Sequence, residues 1–248
     1  MIQVTDFSEF ALFVTFFATN EEPDHLESIG KPLPWRNDFM HIALYGATGK
    51  SGSRILTELL SRGHQVIAIA RDPAKLTAQP GLTVVEGDVS SAPATTAKIK
   101  GVDAVVSAYG PPPDDTDQLL PVTEHFIEAV KEAGTPRFLV VGGAGSLEVA
   151  PGVTVIDSGH LPAEWMPIAV SHANALKLLQ QSDINWTYFS PAGFFVPGER
   201  TGKFRLGTNQ LIANEQGESR ISLEDYAIAL VDELETPKHE RARFTIGY

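Results

Sequence analysis

The sequence contains no cysteine at all. That excludes a disulfide framework, a thiol nucleophile and a thiolate metal site, and a reducing cytoplasm is the expected home. Positive charge is also scarce: 19 Lys and Arg stand against 31 Asp and Glu, for a formal net charge of −12. A chain this acidic has no electrostatic reason to seek nucleic acid or an anionic membrane surface. Long apolar runs are missing too. The densest, Phe10–Ala18 (FALFVTFFA), is nine residues, whereas a spanning helix needs about twenty. Asp6 and Glu9 precede it, where a secretory leader carries positive charge. No compact histidine or carboxylate spacing suggests a metal site, so none is expected.

What remains is ordinary globular composition over 248 residues, 43% hydrophobic and 20% charged. Residues 1–39 differ from the rest, with seven acidic and two basic side chains and prolines at 23, 32 and 34. Either this segment packs as an appendage or the native chain starts at Met40.

From Met40 onward strand and helix signals alternate. Strands are predicted at His41–Tyr45, Gln65–Ala70, Leu82–Glu86, Ala104–Ala108, Arg137–Val141 and Trp186–Phe189, with Arg243–Ile246 as an edge strand. Helices are predicted at Ser53–Arg62, Leu119–Ala133, residues 171–181 and Leu223–Glu235, the last capped by Ser222. Asp72-Pro73 reads as a further helix start. The strands are continuous apolar runs, as strands buried on both faces should be. The expected fold is therefore α/β: a Rossmann-like, doubly wound parallel sheet in one domain, residues 40–248. The Gly-rich and polar stretch 190–221 is its small C-terminal substrate-side region.

Between the first strand and first helix lies Gly46-Ala-Thr-Gly-Lys-Ser-Gly52. Gly46 permits a tight turn, Gly49 lets backbone approach a pyrophosphate, and Gly52 allows close helix–strand packing. The following helix presents free N–H groups and a partial positive charge. Thr48, Lys50 and Ser51 complete the loop. Gly49-Lys50-Ser51 is not a Walker sequence, because the upstream glycine is missing at the required spacing. The second strand ends Ala70-Arg71, where an NAD-preferring site carries a carboxylate. A guanidinium there suits a ribose 2′-phosphate, with Lys50 and Lys75 adding charge, so NADP(H) is the preferred cofactor and NAD(H) an alternative. Asp72 is better explained as a cap. Asp88-Val89 after the third strand can reach an adenine, although a turn aspartate is an equal reading. Ala108-Tyr109-Gly110 follows the fourth strand at the end where ligands bind.

The glycine loop, Arg71, Gly87-Asp88-Val89, Gly142–Leu147 (GGAGSL), Trp186–Ala192 (WTYFSPA), Pro197–Thr201 (PGERT) and Ser219–Glu235 (SRISLEDYAIALVDELE) together resemble the atypical short-chain dehydrogenase/reductases. The resemblance is nearest to the NAD(P)H-binding proteins described as NADH-flavin reductases, related to biliverdin reductase B and the NmrA-like proteins. It covers about residues 40–248. It implies hydride transfer from a reduced nicotinamide to a small planar acceptor such as a flavin or quinone. It implies no counterpart for residues 1–39, which favours a start at Met40 and makes that segment expendable. The ordinary short-chain dehydrogenases use Tyr-x-x-x-Lys as acid, and none of Tyr45, Tyr109, Tyr188, Tyr226 and Tyr248 has lysine four residues on. Candidate side chains at the reacting centre are Tyr109, Ser146, just past the fifth strand, and His172, read as beginning a helix and able to donate a proton near neutral pH. His160 is a weaker candidate. Phe194 and Phe195 can line an apolar wall. A cofactor-sensing NmrA-like regulator and a nucleotide-sugar epimerase or dehydratase are the alternatives. The only partner expected is the small-molecule acceptor, with the chain a monomer or homodimer.

Overall fold

The computed structural model describes residues 39–248. The expectations for residues 1–38, including the Phe10–Ala18 run, lie outside the described residues.

Strand β1 (His41–Tyr45) leads through the glycine loop into α1 (Lys50–Ser61) and back to β2 (Gln65–Ala70). A one-turn 3₁₀ helix, Pro73–Lys75, precedes β3 (Leu82–Glu86). Then come α2 (Ala92–Ile99), β4 (Ala104–Ser107), α3 (Leu119–Ala133), β5 (Phe138–Val141) and a small hairpin, β6 (Glu148–Ala150) with β7 (Val153–Thr154). The chain continues through α4 (Met166–Gln181), β8 (Trp186–Ser190), β9 (Phe194–Val196), β10 (Arg205–Gly207), β11 (Arg220–Ser222), α5 (Leu223–Glu235) and β12 (Ala242–Gly247).

Eight strands form the main sheet, in the order β10-β12-β8-β5-β4-β1-β2-β3. All neighbours are parallel except β10 on β12. The expected Rossmann-like sheet is present. The two-residue strand period divides β1 between two cores. Ile42 and Leu44 pack with Ile55, Leu59, Tyr226 and Leu230, beneath α1 and α5. Ala43 and Tyr45 pack with Phe126, Phe138, Leu176 and Trp186, beneath α3 and α4. Both faces are covered, which is why the strands lack polar alternation. The chain runs outward from β1 to β3 and then crosses back to β4. That reversal leaves a crevice at the C-terminal ends of β1 and β4.

Three readings need correction, and one helix went unread. The C-terminal strand is internal, because β10 pairs antiparallel outside it, with Leu206 opposite Ile246. Only three residues of β10 pair, inside a Gly-rich polar stretch, so no apolar run announces them. Helix α2 escapes a periodicity search because it is eight residues of low amphipathicity (APATTAKI), held by the buried Thr95 and Ile99. Helix α4 begins at Met166, five residues before its sequence signal. Asp72-Pro73 starts a single 3₁₀ turn, not an α-helix, although Asp72 does cap it by accepting from Ala74 N–H (3.2 Å).

The tail motif proves to be a clamp. Ser222 Oγ caps α5 by accepting from Asp225 N–H (2.9 Å) and donates to Glu199 O (2.8 Å). The fully buried Asp225 carboxylate accepts from Thr201 N–H (2.7 Å), Thr201 Oγ1, Gly202 N–H (2.8 Å) and Tyr248 Oη (2.8 Å). Tyr226 Oη donates to Phe189 O (2.7 Å). These bonds fix the 197–204 loop and the start of α5, and so hold Phe195 and Leu223 against the crevice.

Candidate functional site

Three glycines shape the crevice floor, each by a different constraint. Gly46 has φ +79°, and a Cβ on it would lie 2.2 Å from Ala108 O. A side chain is excluded both by backbone conformation and by β4 next door. Gly52 lies within α1, where a Cβ would come within 2.0 Å of Gly46 O. Helix and loop can touch only because it has none. Gly49 caps α1 in an extended conformation (φ −79°, ψ 173°) and donates to Gly46 O (2.9 Å). Its missing Cβ faces nothing closer than Gly46 O at 3.2 Å. The helical ladder starts with Ser53 N–H to Gly49 O (3.0 Å), so the N–H groups of Lys50, Ser51 and Gly52 project from the helix end. No side chain caps them, and no acidic residue occupies the first turn. This end of α1 is built for an anion.

Above it opens a cavity of about 560 Å³. Gly46, Thr48, Gly49, Lys50, Ser51, Arg71, Asp88, Val89, Ala108, Tyr109 and Gly110 all line it. Gly52 does not, since it supports the loop from beneath. Sequence reasoning missed Tyr45, Ile69, Ala70, Gly87, Ser90, Gln118, Val122 and Leu223, and expected Phe195 only as an acceptor wall. Position at the C-terminal ends of β1 and β2 could have found Tyr45, Ile69 and Ala70. Gly87 and Ser90 follow the C-terminal end of β3, while Gln118, Val122 and Leu223 arrive from the starts of α3 and α5 by tertiary folding alone.

Charge in the cavity is unevenly spent. Arg71 is exposed and lines the wall. Lys75 lies off the cavity and pairs with Asp72 at 3.7 Å, so its expected contribution is lost. Asp88 accepts from Ser90 N–H (3.0 Å) and Ser90 Oγ (2.5 Å), which holds its carboxyl below the usual range. It is a turn aspartate that also lines the cavity. Burial pushes Tyr45 up to about 12 and raises Tyr109, where Arg71 pulls the other way.

A second cavity, of about 730 Å³, adjoins the first through Phe195, which lines both. Its walls are chiefly apolar: Val149, Val153, Val155, Leu161, Trp165, Ile168, Ala169, Ala192, Phe194 and Leu211. The 142–145 glycines make room for it. A Cβ on Gly142 would strike Tyr188 Cε1 at 2.3 Å, and one on Gly143 would strike His172 Cβ at 2.8 Å. Tyr188 Oη, fully buried, accepts from Gly143 N–H (3.0 Å) and donates to His172 O (3.0 Å). Burial raises its pKa. The phenol braces a helix and is unavailable as an acid.

Two candidates for the reacting centre need revision. Ser146 lines neither cavity; its hydroxyl accepts from Arg243 Nη1 (2.9 Å) beside β12. His172 lies well inside α4 rather than at its start, and it does line the second cavity. Burial lowers its pKa to about 4. The imidazole is therefore neutral at pH 7 and is no ionised proton reservoir. His160 and Phe194 also line this cavity.

A pH consequence follows. The folded pKa of His172 lies below its unfolded value near 6.5. Its contribution to stability is thus fully present above pH 6.5 and is lost as pH falls toward 4. Chemical denaturation across that window is expected to show His172→Asn weakening less with acid than the parent. Equal slopes would show that the imidazole ionises freely in the folded protein.

Residues 46–237 match the profile of the family described as NAD(P)H-binding. The chain belongs to that family. An uncharacterised protein of Bacillus subtilis is 44% identical to this NAD(P)H-binding protein over 211 residues, covering 84% of this chain and 98% of the relative. A crystal structure from Bacteroides thetaiotaomicron, described as a proposed epimerase, aligns with TM-score 0.79 at 45% identity, covering 85% of this chain and 97% of that one. A proposed NADH-flavin reductase from Streptococcus pneumoniae aligns with TM-score 0.77 at 38% identity, covering 84% and 99%. The family is described as NAD(P)H-binding, and the cradle of Gly46, Gly49 and Gly52 with the uncapped α1 fits such a dinucleotide.

Proposed function

We propose that this NAD(P)H-binding protein is an NADPH-dependent reductase of small planar acceptors, such as a flavin ring or a quinone. The observation that carries the reading is the pair of cavities meeting at Phe195, one lined by the phosphate loop and Arg71, the other by apolar walls. When bound, a reduced nicotinamide supplies hydride. The N–H groups at the start of α1 receive the phosphates, and Arg71 offers its guanidinium to a 2′-phosphate. The walls of the second cavity exclude water and present flat apolar surface to the acceptor.

Proton chemistry favours the same acceptors. Hydride delivery to a ketone builds a strongly basic alkoxide, which needs a donor at hand. Here Tyr188 is committed to the His172 carbonyl, His172 is neutral, Ser146 is turned away, and Tyr109 lines the first cavity but not the second. A flavin or quinone builds a delocalised anion that water can protonate. Sugar epimerisation fits less well, because each sugar hydroxyl would need a partner in a cavity with few free polar groups.

NADPH oxidation should therefore proceed with naphthoquinone and fail with cyclohexanone, by a margin of at least about 100-fold, the usual worth of a missing general acid. Comparable ketone turnover would overturn the reading.

A further inference from the structure

The second cavity carries a selectivity that its size alone does not give. Among the described residues, no lysine or arginine lines it. Its one charged lining residue is Glu218, a carboxylate. The neighbouring cation, Arg220, is already engaged. Its Nε is 2.9 Å from Glu218 Oε1, and its guanidinium lies 5.5 Å from the centre of the Phe194 ring. Most polar lining groups are also satisfied within the chain. Ser219 Oγ accepts from Gly193 N–H (3.0 Å). Ser158 Oγ donates to Val155 O (2.7 Å) and accepts from His160 N–H (3.2 Å). The imidazoles of His160 and His172 also line it, with His172 Nδ1 3.3 Å from Tyr188 Oη.

We infer that the acceptor is an uncharged ring, and that this cavity rejects acceptors bearing phosphate, sulfonate or carboxylate. The first cavity is the opposite. There an anion meets free N–H groups, Lys50 and Arg71. Here an anion would leave water for apolar walls and a glutamate already paired with Arg220, with no lysine or arginine among the described lining residues to receive it. An unphosphorylated flavin ring or a simple quinone loses nothing comparable and gains flat contact with Phe194, Phe195 and Trp165. The inference rests on the reductase reading for the word acceptor, though the charge preference of the cavity stands without it. In the reaction, the quinone gains a hydride from reduced nicotinamide and a proton from water. It becomes the quinol, and the nicotinamide is left oxidised.

The test uses the full chain and two probes that share a ring, naphthoquinone and naphthoquinone sulfonate. Binding is read from quenching of Trp165, which is half exposed on the cavity wall, with Trp165→Phe as the control that should remove the signal. Naphthoquinone is expected to quench saturably, with the sulfonate at least about 100-fold weaker, as desolvation of an unpaired anion requires. Val149→Lys places a cation on a half-exposed wall position where folding is not at stake, and should tighten sulfonate binding at least about tenfold. Equal affinity for the two probes, no Trp165-dependent quenching by either, or no response of the sulfonate to Val149→Lys would each overturn the inference. Turnover is measured separately. Selective binding of naphthoquinone without NADPH oxidation would refute the reductase reading while upholding the charge preference.

Discussion

Gly49→Val should lose NADPH binding by at least about 100-fold while melting within a few degrees of the parent; Gly52→Val should lose both. The two glycines sit three residues apart in one loop, yet they meet different constraints. Gly49 occupies a β-region backbone conformation that valine adopts freely, and its Cβ direction meets only Gly46 O at 3.2 Å. The added methyl groups would stand over the end of α1, where the phosphates must approach. Losing two charge-assisted hydrogen bonds there, at about 1.5–3 kcal/mol each, sets the expected size. Gly52 has no such latitude, because its Cβ would lie 2.0 Å from Gly46 O. Relief requires α1 to move off β1, opening the core around Ile55 and Leu59. Cofactor titration alongside thermal unfolding separates the outcomes. A Gly49→Val protein that binds NADPH normally would show that the phosphates do not lie over this helix end.

Arg71→Ala should weaken NADPH about 10- to 150-fold and leave NADH nearly unchanged. The range is one charge-assisted contact of about 1.5–3 kcal/mol, with the lower end favoured because Arg71 is exposed. Asp72 does not line the cavity, and its carboxylate caps the 3₁₀ turn by accepting from Ala74 N–H. Titration with both cofactors decides the matter. An unchanged ratio would mean that the guanidinium is merely solvated and that the 2′-phosphate, if bound, is held elsewhere.

The cofactor side of the site was legible in the sequence for a physical reason. A phosphate loop is local: its residues are consecutive, its glycines answer to backbone geometry, and it must follow a strand and open a helix. The same holds for Arg71, fixed at a strand end. The acceptor side is assembled from residues 143–172, 191–195 and 211–219, brought together only by the fold. Sequence position therefore could not say that Ser146 turns toward Arg243, nor that burial neutralises His172. The main-sheet strands were readable as far as β8, because a short apolar run marks each of them, whereas the β6–β7 hairpin has no such run. The reading failed at β10, where only three residues pair with β12 inside a polar stretch. The SRISLEDYA segment was legible as a signature but not as a clamp, because the partners of Asp225 come from the 201–202 turn and the last residue, Tyr248.

Anaerobic mixing of the protein with equimolar NADPH and naphthoquinone, followed at 340 nm, tests most directly whether the two cavities form one reaction path. The expected result is stoichiometric loss of the nicotinamide absorbance with equal formation of the quinol, abolished in Gly49→Val. Tight NADPH binding with the absorbance unchanged, for this and for other uncharged planar acceptors, would contradict the reductase reading and leave a protein that senses the cofactor without using it.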